Sequence, residues 1–143
     1  MNPAGVTILV LVLVAATAFG VRRSRTEGRL RPQLTAAGPT PTTFTEQELG
    51  VPLGSHATLV QFSTVFCQPC RATRRILDEV AGMVEGVRHI DVDAESHLDL
   101  VRRLDIRRTP TIFVLDSSGQ IVKRATGQPR KADVVAALGE VRR

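Results

Sequence analysis

Residues 58–70 read TLVQFSTVFCQPC and join a predicted strand to a predicted helix. Its first five residues, 58–62, form a short stretch rich in apolar and β-branched side chains, which is typical of a buried central strand. Residues 69–84 repeat apolar side chains three and four positions apart and therefore predict an amphipathic helix. The two cysteines of the chain, Cys67 and Cys70, thus stand where a strand gives way to a helix.

The position of this cysteine pair predicts thiol chemistry. A thiol at a helix N-terminus meets backbone N–H groups that lack partners and the positive end of the helix dipole, and both favour the thiolate. Because the thiolate is the form that attacks a disulfide, Cys67 is predicted to be the attacking thiol. Cys70, one turn later, is predicted to resolve the mixed disulfide, and Pro69 suits the first turn of the helix.

Three other uses of the pair compete with a redox-active dithiol. A zinc site needs two further ligands, and His56, His89 and His97 lack the spacing of a ligand pair. An iron–sulfur cluster needs more cysteines than the chain has. Both cysteines could be inert core residues, although chance would then have placed them together at one strand-to-helix junction. We therefore expect no metal, and no bound cofactor is needed because electrons arrive by thiol exchange.

The chain from residue 44 to residue 143 predicts one α/β domain. Its elements follow the order β-α-β-α-β-β-α, and residues 42–50 contain a weak signal for an additional strand and a helical turn. After the first strand and helix we expect a strand at 87–92, a helix from Ser96 through Leu104, a strand at 111–115, a turn at 116–119, an antiparallel return strand at 120–124 and a helix at 131–141. Ser96 and Asp99 are spaced as a capping box.

These motifs together resemble the thioredoxin superfamily over residues 44–143. The resemblance rests on the strand, the CQPC motif and the helix, followed about 40 residues later by Thr109-Pro110-Thr111 before an apolar strand. It implies a thioredoxin-like fold, in which helices flank a central mixed sheet, and a protein-disulfide reductase or thiol–disulfide oxidoreductase. It also implies that Pro110 is cis and lies beside the cysteines and that Thr109 contacts substrate. The alternative for Pro110 is an ordinary proline at the start of a strand.

The sequence departs from the family pattern around the cysteines, in residues that the resemblance places in the substrate-binding surface. Phe66 stands where thioredoxins usually have Trp, and Gln68, beside Pro69, stands where they usually have Gly. Gln61 replaces a buried acid that is thought to accept a proton from the resolving cysteine in thioredoxins. A neutral amide cannot do so, and His89 on the second strand is the candidate that we name for a proton relay with Gln61.

The net charge of +5 is concentrated near the N-terminus. Residues 22–31 contain five Arg against one Glu, whereas residues 32–143 contain 14 basic and 13 acidic side chains. A nucleic-acid-binding domain needs a basic face on its folded part, and the absence of Trp and Tyr removes a stacking platform. We therefore expect no nucleic-acid partner.

Residues 3–21 carry no charge and predict one transmembrane helix, about 28 Å long at 1.5 Å per residue. The basic residues 22–31 follow this helix rather than precede it, which favours an anchor over a cleaved signal peptide. Basic flanks stay cytoplasmic, so the domain is predicted to face the cytoplasm. Residues 22–43 are predicted to be a basic juxtamembrane segment and a flexible linker.

The sequence therefore predicts a single-pass, membrane-anchored thiol–disulfide oxidoreductase, with protein disulfides as substrates and a thiol electron donor. One alternative keeps this chemistry but reverses the topology, which gives an extracytoplasmic thiol reductase. Another is a non-catalytic docking module on the thioredoxin fold, because the buried acid and the Trp are missing.

Overall fold

The computed structural model describes residues 3–26, 28–32 and 43–141, and these residues form five helices and five strands. In chain order the elements are α1 (Pro3–Thr26), β1 (Arg31–Pro32), α2 (Glu46–Leu49), β2 (Ala57–Ser63), α3 (Gln68–Met83), β3 (Val87–Asp93), α4 (Leu98–Arg103), β4 (Thr111–Asp116), β5 (Ile121–Thr126) and α5 (Lys131–Gly139). From β2 onward the order is the predicted β-α-β-α-β-β-α.

The strands form one mixed sheet in the order β1-β5-β4-β2-β3. β2 pairs parallel with β3 and antiparallel with β4, and β5 pairs antiparallel with both β4 and β1. Every residue of β2 is buried, which confirms the predicted central strand. Phe62 near the end of β2 pairs with Thr111 at the start of β4, and Thr111 pairs with Thr126 at the end of β5. We call the end of the sheet where these three residues lie the cysteine end, because Cys67 follows β2 there.

Two apolar clusters cover the two faces of the sheet, as an α/β layer architecture requires. One contains three phenylalanines, Phe44, Phe62 and Phe113, whose ring centroids lie 5.8–6.4 Å apart. The other packs β2, β4 and β5 against α3 and α5, with Leu77 and Leu138 among its fully buried side chains. The helix that carries the cysteines therefore rests on a rigid sheet, and this fixes the direction of its first turn.

The start of α4 differs from the predicted capping box. The helix begins at Leu98 with His97 as its N-cap, and no side chain caps it. The Ser96 hydroxyl instead donates a hydrogen bond to the Asp93 carboxylate, and the Glu95 backbone N–H donates to the same carboxylate. This local turn after β3 competes for Ser96 and delays the helix by two residues.

The N-terminal helix α1 is longer than the predicted 3–21 span and continues to Thr26. Within it, Gly5–Arg23 has a mean hydropathy of 2.1, and the side chains described there are exposed along their length. Among the described residues this is the one helix that is long and apolar enough to cross a membrane, a test that a signal sequence also passes.

The segment after α1 also differs from the expected linker. Arg31 and Pro32 pair with Arg124 and Lys123 of β5, and Leu30 packs against the cluster under α5. The sequence offers no strand signal for these two residues, because their pairing depends on an unpaired strand distant in the chain. Residues 33–42 of the expected linker lie outside the described residues. The predicted extra strand and turn are present as a bridge between Thr43 and Gln120 and as α2.

Candidate active site

Cys67 and Cys70 form a disulfide at the N-terminus of α3, with their Cα atoms 5.2 Å apart. Cys67 is the N-cap residue of the helix, and Pro69 lies in its first turn. The backbone N–H of Cys70 donates a hydrogen bond to the Cys67 Sγ at 3.2 Å. This donor and the helix dipole both favour negative charge on the Cys67 sulfur once the disulfide is reduced.

The two cysteines differ in exposure. Cys67 is partly exposed, whereas only 2% of the Cys70 surface is accessible. Because Cys70 faces the core, an incoming disulfide meets Cys67 first. The two cysteines therefore differ in how readily another molecule can reach them.

The surface around Cys67 is apolar and exposed. Phe66 is 95% exposed and Val65 is 70% exposed, and Gln68 and Pro69 are exposed beside them. Sequence reasoning named Phe66 but missed Val65, because an apolar residue two positions after a buried strand gives no local signal of exposure. Two adjacent exposed apolar side chains next to a reactive sulfur suit contact with another molecule.

The loop before β4 reaches the cysteine end from the other side. The Thr109–Pro110 peptide bond is cis, which confirms the expectation for Pro110. The Thr109 hydroxyl lies 3.4 Å from the hydroxyl of Thr64, which precedes the cysteine motif, and the Gly127 N–H donates to the Pro110 carbonyl at 2.8 Å. The structure thus brings Thr109 and Pro110 to the loop that carries Phe66 and Cys67.

Arg124 on β5 supports the chain that leads into this loop. Its guanidinium donates hydrogen bonds to the carbonyls of Leu104 and Asp105, both at 2.9 Å, and lies 5.2 Å from the centroid of the Phe113 ring. Burial lowers the pKa of Arg124, the effect of desolvation being larger than the opposing attraction of Asp105. Asp105 has a φ of 47°, and the two carbonyl contacts help to hold that turn. Sequence reasoning did not identify Arg124, because both of its acceptors are backbone atoms.

Gln61 lies directly behind the disulfide. Its side chain is fully buried, and its Nε2 donates a hydrogen bond to the Cys70 carbonyl at 3.0 Å. Its Oε1 has no hydrogen-bond partner among the described residues, and the same holds for the buried hydroxyl of Thr73, one turn after Cys70 on α3. Unpartnered buried polar atoms are uncommon in native proteins and call for an explanation.

His89 lies on the same face of the sheet as Gln61, since Gln61 pairs with Asp91 and side chains two apart on a strand share a face. Only 5% of the His89 side chain is exposed, and its Nδ1 lies 2.6 Å from an Asp78 carboxylate oxygen on α3. Its Nε2 is buried and without a partner among the described residues. Asp91 itself accepts hydrogen bonds from Ser63 and Arg74.

The residues that the structure describes contain no group of three His, Cys, Asp or Glu side chains that could hold a metal ion. The groups that the structure places at the cysteine end are the two sulfurs, the N-terminus of α3 and the buried polar atoms behind Cys70.

Comparisons with known proteins agree with this geometry. The Thioredoxin family model matches residues 40–140. A thioredoxin of Mycolicibacterium smegmatis is 32% identical over 89 residues, which cover 60% of this chain and 79% of that protein. Thioredoxin H5 of Oryza sativa subsp. japonica is 28% identical over 69 residues, and the chain spans only 51% of its length.

Among solved structures, chloroplastic thioredoxin z is similar with a TM-score of 0.55 and 24% identity. That match covers 61% of this chain and 79% of the other. At this level of identity the likeness concerns the fold.

Proposed function

The chain belongs to the thioredoxin family, and we propose that it is a membrane-anchored thiol–disulfide oxidoreductase that reduces protein disulfides through Cys67 and Cys70. The observation that carries this proposal is the Cys67–Cys70 pair at the N-terminus of α3, with one sulfur accessible and the other buried. The relatives are thioredoxins, but the chain spans about half of the first of them, so its activity rests on its own residues.

The reaction begins from the reduced pair. The Cys67 thiolate attacks one sulfur of a substrate disulfide, which forms a mixed disulfide and releases the other substrate sulfur as a thiolate. The Cys70 thiolate then attacks the Cys67 Sγ, which restores the Cys67–Cys70 bond and releases the second substrate thiol. Two electrons pass to the substrate, and a dithiol reductant returns them to the enzyme.

Substrate binding uses the two loops that meet at the cysteine end. We assign to Phe66 and the exposed Gln68 and Pro69 the contacts on one side of Cys67, and to Thr109 and Pro110 those on the other. The Thr64–Thr109 contact at 3.4 Å supports this assignment, because it holds the two loops together on either side of the accessible sulfur.

Cys70 must lose its proton before it attacks, and the neutral amide of Gln61 cannot accept that proton. We assign this task to His89, which acts through the buried polar atoms of Gln61 and Thr73 rather than by direct contact. The unpartnered Nε2 of His89 and Oε1 of Gln61 support the assignment, since buried polar groups of this kind are commonly linked by ordered water. Asp78 acts as a positioning residue, because its carboxylate bonds the His89 Nδ1 and leaves Nε2 facing the interior.

Membrane attachment is the second half of the proposal. The apolar segment Gly5–Arg23 has the length of a bilayer span, and Arg22 and Arg23 at its end favour a cytoplasmic domain. The topology is measured with Ser117→Cys in the Cys67→Ser, Cys70→Ser background. Intact cells that carry this variant are treated with a thiol reagent that does not cross the membrane. Protection from the reagent is expected, and labelling would indicate the extracytoplasmic alternative.

The catalytic half is tested by insulin reduction with the full chain in detergent and dithiothreitol as the electron donor. Turnover is expected for the native chain, and Cys67→Ser, which lacks the attacking sulfur, should show none above dithiothreitol alone. If the native chain shows no turnover, and Cys70→Ser forms no mixed disulfide, the domain is a non-catalytic docking module. The absence of the family's buried acid at Gln61 is the observation that keeps this second candidate.

A further inference from the structure

The chain enters the folded domain at the cysteine end of the sheet. The Gly28 backbone N–H donates a hydrogen bond to the Thr126 carbonyl at 2.8 Å. Thr126 is the last residue of β5 and pairs with Thr111, and the next residue, Gly127, donates to the Pro110 carbonyl at 2.8 Å. Two backbone hydrogen bonds, from Gly28 to Thr126 and from Gly127 to Pro110, therefore connect this entry point to the loop that we assign to substrate binding.

This entry point is built into the fold. Gly28 has a φ of 76°, and a Cβ at this position would lie 1.9 Å from the Gln128 carbonyl oxygen, so the close approach admits only glycine. Leu30 packs against the core, and Arg31 and Pro32 then pair antiparallel with β5. Because β5 runs toward the cysteine end, β1 runs away from it, and the chain that precedes Gly28 leaves the domain on the cysteine side.

The connection from Gly28 to the apolar span is short. Arg23 is the last residue of the apolar window, and α1 continues for three residues to Thr26, a rise of about 4.5 Å. Two residue steps from Thr26 to Gly28 span at most about 7 Å. The entry point therefore lies within about 12 Å of the end of the span.

The cysteines are close to this entry point. Gly28 lies beside β5 on the β1 side, and β2, which leads to Cys67, is three strand positions away, or about 14 Å. A six-residue strand such as β5 is about 20 Å long, so entry at the opposite end would have placed the disulfide about 20 Å further from the bilayer.

The charges at the cysteine end agree with this arrangement. The loop before Pro110 carries Arg107 and Arg108, both exposed, and Arg71 follows Cys70. Of the acidic residues here, Asp105 pairs with Arg107, whereas Asp93 and Glu95 lie at and just after the end of β3, the strand furthest from the entry point. The loop before Pro110 thus keeps one net positive charge after the Asp105–Arg107 pair is counted, which suits a surface near anionic headgroups.

We propose that the cysteine end faces the bilayer and that the substrates are disulfides of membrane proteins located close to the membrane surface. This inference rests on the proposed oxidoreductase function and on the anchor, and it holds for either topology. Phe66 and Val65 then point to the interface between the domain and the membrane-bound substrate. A disulfide that lies far from the bilayer is reached less often, because the tether restricts the volume that Cys67 explores.

The test uses full-length Cys70→Ser chain in vesicles of phosphatidylcholine and phosphatidylglycerol. Two transmembrane peptides serve as probes, with a disulfide-linked label four or thirty residues beyond the apolar segment. Reconstitution at pH 4 suppresses thiolate attack, and a jump to pH 7.5 starts it. Mixed disulfide between Cys67 and each probe is quantified on non-reducing gels.

Two matched insertions isolate the tether. A fifteen-residue Gly-Ser segment inserted after Glu27 lengthens the connection between the apolar span and Gly28. The same segment inserted after Gly38 follows β1 in the chain and leaves that connection unchanged. The near probe should react about tenfold faster than the far probe in the Cys70→Ser chain without an insertion and in the same chain with the Gly38 insertion. This ratio should fall below about two in the Glu27 insertion.

Soluble insulin distinguishes failure of the inference from failure of the function. All three chains should form the insulin adduct at the same rate, because Cys67 itself is unchanged. If the insulin adduct forms but near and far probes react equally with the Cys70→Ser chain that has no insertion, the membrane-facing inference is overturned and the oxidoreductase function stands. If neither insulin nor either probe is attacked, the proposed function fails as well.

Discussion

Gly28→Ala should detach the segment that joins the anchor to the sheet. A φ of 76° costs an alanine about 1–2 kcal/mol, and the added Cβ would lie 1.9 Å from the backbone oxygen of Gln128. Such an overlap cannot be absorbed by a rotamer change, so the chain must move away from β5. In the part of the chain that the structure describes, the segment is held by the Gly28–Thr126 hydrogen bond, two strand pairs and the half-buried Leu30. We therefore expect local detachment at a cost of about 1–3 kcal/mol rather than loss of the fold.

Gly50→Ala is the matched control for this substitution. Gly50 has a φ of 70°, close to that of Gly28, but a Cβ there meets nothing within 4 Å. The control therefore carries the same conformational strain of about 1–2 kcal/mol without the overlap. The difference between the two variants isolates the effect of the close approach at Gly28.

Limited trypsin digestion of the Arg29–Leu30 bond reports detachment directly. When opening is fast, cleavage follows the population of the open form, and 2 kcal/mol of local destabilisation raises that population about thirtyfold. Gly28→Ala should thus be cut about thirtyfold faster at this bond than the native chain, whereas Gly50→Ala should be cut at the native rate. A native rate of cleavage in Gly28→Ala would refute the built entry point.

Gln61→Leu removes a hydrogen bond of about 1 kcal/mol to the Cys70 carbonyl but also the cost of desolvating a buried amide, about 1–3 kcal/mol, so urea unfolding should show no loss of stability. A loss above about 1 kcal/mol would show that Gln61 is there for stability. His89→Gln should slow resolution of the mixed disulfide by on the order of a hundredfold and change the shape of its pH–rate profile. An unchanged shape contradicts the relay. Arg103 donates a hydrogen bond that holds the pKa of Glu48 below its usual 4.5, so this stabilisation is present above pH 4.5 and is lost as the pH falls through the lowered folded-state value. Glu48→Gln should therefore flatten the acid limb of thermal stability, and an unaltered limb would assign it to other carboxylates.

The elements around the cysteines are predictable from local sequence. β2 is an apolar run, α3 has a regular apolar face that starts at Pro69, and Thr109-Pro110-Thr111 marks the second loop. These patterns are local, and the central strand and the cysteine-bearing helix agree with them to within one or two residues. The order of the elements along the chain is predictable for the same reason, and short connections between consecutive elements leave few possible topologies.

The features that were missed depend on partners outside the pattern that predicted each element. β1 is two residues long, and its pairing exists only because β5 offers a free edge. The Ser96 cap failed because the Asp93 carboxylate competes for the same hydroxyl. His89 could be named from its strand, but its contact with Asp78 requires α3 to pack on β3. The entry of the chain at the cysteine end could not be predicted from any one segment, because it depends on the pairing of β1 with β5. This feature has the largest effect on which substrates we expect.

Direct capture of the reaction intermediate tests the central claim. Full-length Cys70→Ser in native membranes should accumulate mixed disulfides, and mass spectrometry of the adducts should find the link at Cys67. The native chain should resolve such adducts, and the double variant Cys67→Ser, Cys70→Ser should form none. Failure of Cys70→Ser to form any adduct, or adducts that survive equally in the native chain, would contradict a dithiol mechanism in which Cys67 attacks and Cys70 resolves.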